Sequence, residues 1–196
     1  MKRKAAVFLL LFAGICLASS YGAGNIQEAQ TLTWDLEFRI EKTQKTVEIS
    51  PEIRMETGET VVITVTPATE CFAYVLLEAE QEFLIGYNGK MNGGKGEPFG
   101  IRLEDPPGTE KLHIIMSLKP QTKLENLLQA YNSKQNIGNR ENILKEIASL
   151  QDTISRMGER PGVIVPSGGT MRGGGEEIAT RFSDQDMYVK TIKLLH

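Results

Sequence analysis

Leu32, Trp34, Leu36, Phe38 and Ile40 alternate with Thr33, Asp35, Glu37 and Arg39. A period of two predicts a strand with one face buried and the other in solvent, the pattern of an antiparallel sheet. The same period recurs at Val61, Ile63 and Val65, and again at Leu112, Ile114, Met116 and Leu118. A short Val47/Ile49 piece lies between the first two runs, followed by punctuation at Ser50-Pro51 and at residues 56–59. Residues 71–78 are apolar at both phases, which predicts a central strand covered on both sides. A turn at 79–82 leads into residues 83–87, completing a meander. Residues 187–195 read as a last strand returning to the sheet, because an apolar tail of this kind left unpaired would be an exposed edge.

The period changes after residue 121. Thr122-Lys-Leu-Glu125 has the spacing of a capping box, in which side chains at the first and fourth positions satisfy free N–H groups at a helix start. Leu124, Leu127, Leu128 and Tyr131 then share one helical face, and a second helix from about Asn139 carries Ile143, Ile147, Leu150, Ile154 and Met157 on its own. Gly158 closes it. Residues 86–100 hold too many glycines for regular structure and read as a flexible loop. The fold expected is mainly β, an antiparallel sandwich or partly closed barrel. An α-helical hairpin at about 121–158 and a Gly/Pro-rich linker at about 159–176 are inserted before the last strand.

The first residues change the picture. Lys2-Arg3-Lys4 precedes an apolar run at residues 5–17, too short to span a bilayer comfortably, and small residues follow at 18–20 and 22–24. This is the layout of an export signal, read here as residues 1–23, with one domain over 24–196 and no transmembrane segment after its removal. Losing it removes three cations and no acids, so the formal net charge moves from −3 to about −6. An acidic, aromatic-poor surface argues against nucleic acid as a partner. Cys16 lies in the signal and Cys71 stands alone beyond it, so the domain has no internal disulfide. A competing reading takes residues 13–16 as a lipidation box and Cys16 as a lipid anchor, although Ile15 is bulky for that role.

Candidate chemistry is sparse. Of two histidines, His196 is terminal and expected to be mobile, and His113 falls on the opposite phase from Leu112, Ile114 and Met116, where a structural or solvated role is expected. Cys71 with His113 is the one conceivable nucleophile–base pair, but Cys71 opens an apolar run and reads as inert packing. Two distant histidines and one thiol make no zinc set, and Asp184-Gln-Asp186 reads as a solvated turn, not a calcium loop. The glycine-rich stretches lack the Gly-Lys-Ser/Thr ending of a phosphate loop. No cofactor is expected.

Three stretches share a family's order: Gly58-Glu-Thr-Val-Val-Ile-Thr-Val, then Glu70-Cys-Phe-Ala-Tyr-Val-Leu-Leu, then Pro106-Pro-Gly-Thr-Glu-Lys-Leu-His-Ile-Ile-Met-Ser117. With the closing Tyr188-Val-Lys-Thr-Ile-Lys193, they resemble the bacterial domain of unknown function DUF4384. The likeness covers about residues 56–118 and the tail. It implies a β-sandwich-like domain of exported or envelope proteins, found attached to signalling or protease-like domains and without catalytic residues to carry over. The glycine-rich stretch after Tyr87 and the helical insertion depart from the family.

The functional expectation is an exported, non-catalytic binding or protein-interaction module of the bacterial cell envelope, periplasmic or extracellular, with an envelope protein as partner. Its expected contact surface joins Tyr87, Asn88, Lys90, Asn92 and Lys95 to the helix face at Ile147 and Ile154. Two readings compete with it: an envelope hydrolase or thiol enzyme using Cys71 and His113, and a surface lipoprotein held by Cys16. Expressed in an exporting bacterium, the chain is expected to be recovered with its mature N-terminus near Gly24. Intact-mass spectrometry checks this, and a lipid-bearing N-terminus at Cys16 would put the lipoprotein in its place.

Overall fold

The computed structural model describes residues 31–80, 83–157, 179–184 and 186–196, with side chains except at 156 and 157. The expected signal, Cys16 and the residue 159–176 linker lie outside the described residues.

The alternating runs become strands at nearly the expected bounds. They are β1 (Leu32–Ile40), β2 (Thr46–Val47), β3 (Glu52–Arg54), β4 (Thr60–Pro67), β5 (Cys71–Glu78), β6 (Phe83–Met91), β7 (Glu97–Arg102) and β8 (Thr109–Ser117), followed by helices α1 (Thr122–Ser133) and α2 (Ile137–Met157), then β9 (Thr180–Asp184) and β10 (Met187–Leu195). One sheet, A, runs β2-β1-β4-β7, with β9 also paired to β1; the other, B, runs β3-β10-β8-β5-β6. All pairs are antiparallel except β3–β10.

The alternation sorts side chains into two cores. Leu32, Trp34, Leu36 and Phe38 of β1 and Val61, Ile63 and Val65 of β4 meet Cys71, Ala73, Val75 and Leu77 of β5 and Leu112, Ile114 and Met116 of β8 between the sheets. The other phase of sheet B, Tyr74, Leu76 and Ile115, meets Leu124, Leu128, Ile143, Ile147 and Leu150 of the helices. The molecule is thus three layers, with sheet B in the middle. The two-sided apolar pattern of residues 71–78 is the sequence mark of that position. Burying a Leu or Ile side chain stabilises by about 1.5–3 kcal/mol, several times the effect of a helix-propensity difference, so packing holds the helices in place.

Two local expectations are corrected. Thr122 does not cap α1: the cap residue is Gln121, with no side-chain cap bond. Instead the Tyr74 hydroxyl, from the sheet below, accepts from the Gln121 amide at 2.8 Å and donates to Glu125 at 2.7 Å. A tertiary contact thus replaces the local box. Residues 86–100 are also not a flexible loop but most of β6, a short turn and β7. Two of the glycines serve close approach. A side chain at Gly93 would sit 2.8 Å from the Thr69 Cα and 2.9 Å from the Ala68 carbonyl oxygen, and one at Gly86 would sit 3.2 Å from the Phe99 ring.

At the opposite edge the chain crosses from β9 in sheet A to β10 in sheet B. Trp34 stacks on Phe182 at 4.6 Å and meets Tyr188 edge-on at 5.3 Å, joining the sheets there. Arg181 grips the Asp35 carboxylate with two parallel bonds of 2.8 and 2.9 Å, which pins the register of β9 on β1.

Gly93→Ala is expected to cost about 1–3 kcal/mol, because backbone atoms, unlike a flexible side chain, cannot give way. Urea denaturation checks this against Gly100→Ala, where the nearest atom is an ordinary 3.7 Å away and the loss should be smaller.

Candidate functional site

The residues singled out from sequence do not form one surface. Tyr87 donates its hydroxyl to the Lys90 carbonyl, Lys90 pairs with Glu70 at 2.8 Å and Lys95 with Glu97 at 2.9 Å. Both ion pairs are solvent-exposed, a setting in which such pairs contribute little. Asn88 and Asn92 are exposed beside them. Ile147 belongs elsewhere: it is 2% exposed, packed beneath α2 on sheet B, because the apolar helix face is taken up inside the molecule. Ile154 is half-buried on the same helix.

Cys71 and His113 are separated by the sheet itself. Cys71 faces the inter-sheet core, where burial pushes its thiol up to about 11 and Glu70 pushes the same way. A thiol held protonated is a poor nucleophile. His113 is out of phase with its core-facing neighbours and points under α2, so the two cannot act as a pair. His196, expected to be mobile, is instead tied down. Its backbone exchanges two hydrogen bonds with Gly108, at 3.0 and 3.1 Å, and its side chain is 2% exposed beside Glu110 and Thr57.

His113 sits in a polar network that closes the end of the helix–sheet interface. Its Nε2 lies 3.2 Å from Glu78 and its Nδ1 2.9 Å from the Thr191 hydroxyl. The Gln151 amide donates to that hydroxyl at 2.8 Å. A neutral imidazole with its proton on Nε2 satisfies every group: Gln151 donates to Thr191, Thr191 to Nδ1, and Nε2 to the carboxylate. Burial accordingly lowers the His113 pKa; the hydrogen bond and charge of Glu78 oppose this without overcoming it, and Lys111 adds a smaller lowering. Glu78 also faces Lys111 at 3.3 Å and Arg140 of α2 at 3.6 Å. Arg140 in turn donates to the carbonyls of Ala79 at 2.6 Å and Glu80 at 3.0 Å.

Beyond this network the two sheets part. A cleft of about 1010 Å³ opens between the ends of β5, β6 and β8 on one side and β7 on the other. Leu77, Leu84, Ile101 and Leu112 line its depth, and the turn at 104–108, with its cis Asp105–Pro106 bond, forms a wall beside His196. The floor exists because of a bulge. Val75 pairs with Tyr87 but Leu76 with Ile85, so Gly86 is the extra residue, and the Phe99 ring packs on it. After the bulge Leu84 pairs with Leu77 on the inner face of sheet B, yet Leu84 is 51% exposed where Leu77 is 4%.

Among the described residues no group of three or more His, Cys, Asp or Glu is placed to hold a metal ion, and Asp184 lies at the end of β9. No described helix is long and apolar enough to cross a membrane. The cleft is not legible in the sequence because its walls come from separate segments, and the β7 wall begins in the glycine-rich stretch. The signal available was the alternation Phe99, Ile101, Leu103, a strand pattern hidden by the glycines around it.

Fold and site together define a helix-backed β-sandwich with an open-ended interior cleft. Comparison with protein-family models, with curated proteins and with solved structures gave no match.

Protonation of His113 is more favourable in the unfolded chain, near the usual 6.5, than in the fold. In the window below that value the unfolded state binds more protons, so stability is full above about pH 6.5 and falls as pH drops towards the lower folded value. Urea titrations from neutral to mildly acid pH should show this decline. His113→Gln should start from a lower plateau and lose the slope; an unchanged slope would assign the effect to other groups.

Proposed function

We propose that the chain is a non-catalytic binding module of the bacterial cell envelope and that its ligand enters the cleft beside the Pro106-Pro107-Gly108 turn. The observation that carries this reading is the uncovered inner face at Leu84. Sandwich interiors are normally sealed, and an apolar floor with a charged rim is the usual make-up of a ligand site. The export half of the reading rests on the basic and apolar run at residues 2–17. The likeness to DUF4384 points the same way, since its Pro-Pro-Gly turn is the wall of the cleft.

The chemistry nearby favours binding over turnover. Both nitrogens of His113 are engaged by Thr191 and Glu78 of sheet B, which in turn contact Gln151 and Arg140 of α2, and the Cys71 sulfur lies in the inter-sheet core. Glu78, Lys111 and Arg140 satisfy one another at the cleft wall, a fixed charge pattern suited to orienting a ligand.

A photo-cross-linking residue placed at position 84, with a second protein carrying it at position 90, tests the reading in living cells. Specific adducts are expected from 84 and not from 90. Adducts from 90 alone would put the contact on the surface around Lys90, and none from either would remove the binding reading.

A further inference from the structure

The cleft is asymmetric in charge. Its rim carries the exposed carboxylates of Glu80, Glu104 and Asp105, which make no ion pair among the described residues. The cations opposite are mostly spoken for: Lys111 and Arg140 both face Glu78, leaving the exposed Arg102 as the one rim cation without a carboxylate partner among the described residues. The entrance is therefore anionic.

The cleft is also flanked by backbone. β7 and β6 are the terminal strands of their sheets on this side, so each presents unpaired N–H and C=O groups outward. Pro98, which has no N–H, obstructs pairing at the far end of β7, and the Gly86 bulge bends β6. The stretch of β7 that borders the cleft, from Phe99 to Arg102, contains no such obstruction. An edge open only beside an apolar hole is suited to one short extended segment.

We infer that the cleft takes an extended, cationic peptide segment. A large apolar side chain enters against Leu84 and Ile101, its backbone lies along β7 from Phe99 to Arg102, and its Lys or Arg residues meet Glu80 and Glu104. The inference rests on the cleft being the binding site, and it names the ligand class. The parts have separate tasks: strand addition supplies affinity without sequence preference, the hole selects one side chain, and the rim selects charge. An anionic lipid or acidic peptide meets the wrong sign at the same entrance.

The test uses fluorescence anisotropy with the mature protein and a dye-labelled nonapeptide that alternates lysine and valine around a central phenylalanine. Matched peptides carry glutamate for lysine, or serine for phenylalanine. The uncharged apolar dye phenylnaphthylamine reports on the hole alone. The lysine peptide should bind saturably, more weakly at high salt, and the two matched peptides should bind at least about tenfold more weakly. Leu84→Asp, at an exposed position, should weaken the lysine peptide about tenfold and abolish the dye signal. The double variant Glu80→Lys, Glu104→Lys should weaken the peptide by a similar factor and leave the dye unchanged. If the dye binds in a Leu84-dependent way but lysine and glutamate peptides bind equally, the peptide inference is wrong and the cleft stands. If neither dye nor peptide responds to Leu84→Asp in a protein with an unchanged urea midpoint, both readings fall. Tight binding to phosphatidylglycerol vesicles in place of the peptide would also overturn the inference.

Discussion

The structure depends on the burial of sheet B on both faces. β5 and β8 place Leu77, Leu112 and Ile114 in one core and Leu76 and Ile115 in the other, so sheet A alone could never cover the apolar surface they present. The helices are the cover. Their apolar stripes match the outer face of the sheet, which is why Ile143, Ile147 and Leu150 are turned inward and unavailable to an outside partner. The location of the open surface follows: what remains lies at the end of the sandwich, where β6 is the terminal strand and Leu84, past the bulge at Gly86, is left uncovered.

A sheet covered on both sides has to satisfy every polar group it carries there. Two sites on the outer face show how this is done. Tyr74 uses its hydroxyl as both acceptor and donor to start α1, and burial pushes its own pKa up, keeping that hydroxyl protonated. His113 links Thr191 to Glu78, and Glu78 links the sheet to Arg140 of α2. Each fixes a helix to the sheet through a side chain whose protonation state is set by the apolar packing around it. Arg140 and Lys111 also stand at the cleft wall, where both face Glu78, so the charge of the entrance is left to the carboxylates of Glu80, Glu104 and Asp105.

Strands with clean alternation, such as β1 and β4, were readable from sequence, as was the two-sided pattern of β5, because periodicity reports directly on which faces are buried. Three short strands were not. β3 has a single buried residue, Ile53; β7 is masked by the glycines in and before it; β9 depends on pairing with β1, far earlier in the chain. The Thr122-Lys-Leu-Glu125 pattern misled for a related reason: a local signal was overridden by a hydroxyl some 50 residues away in sequence. The contact surface expected from loop composition dispersed for the same cause. Gly93 marks a close approach of two chains and not mobility, and Ile147 marks a layer boundary and not an exposed face. Alternation at Phe99, Ile101 and Leu103 was present, but the cleft is a property of four strands and a turn, and no single window of sequence contains it.

The crossing from β9 to β10 has a consequence for how the chain reaches this state. Thr33 and Ser183, which face one another across β1 and β9, are 150 positions apart, and β10 lies between β3 and β8 inside sheet B. Neither sheet is complete until β9 and β10 arrive, and contacts closed over such a span form slowly. A chain emerging from the ribosome therefore exposes incomplete β edges until β10 is released. A polypeptide that stays open until its two closing strands arrive remains threadable through a narrow channel up to that point.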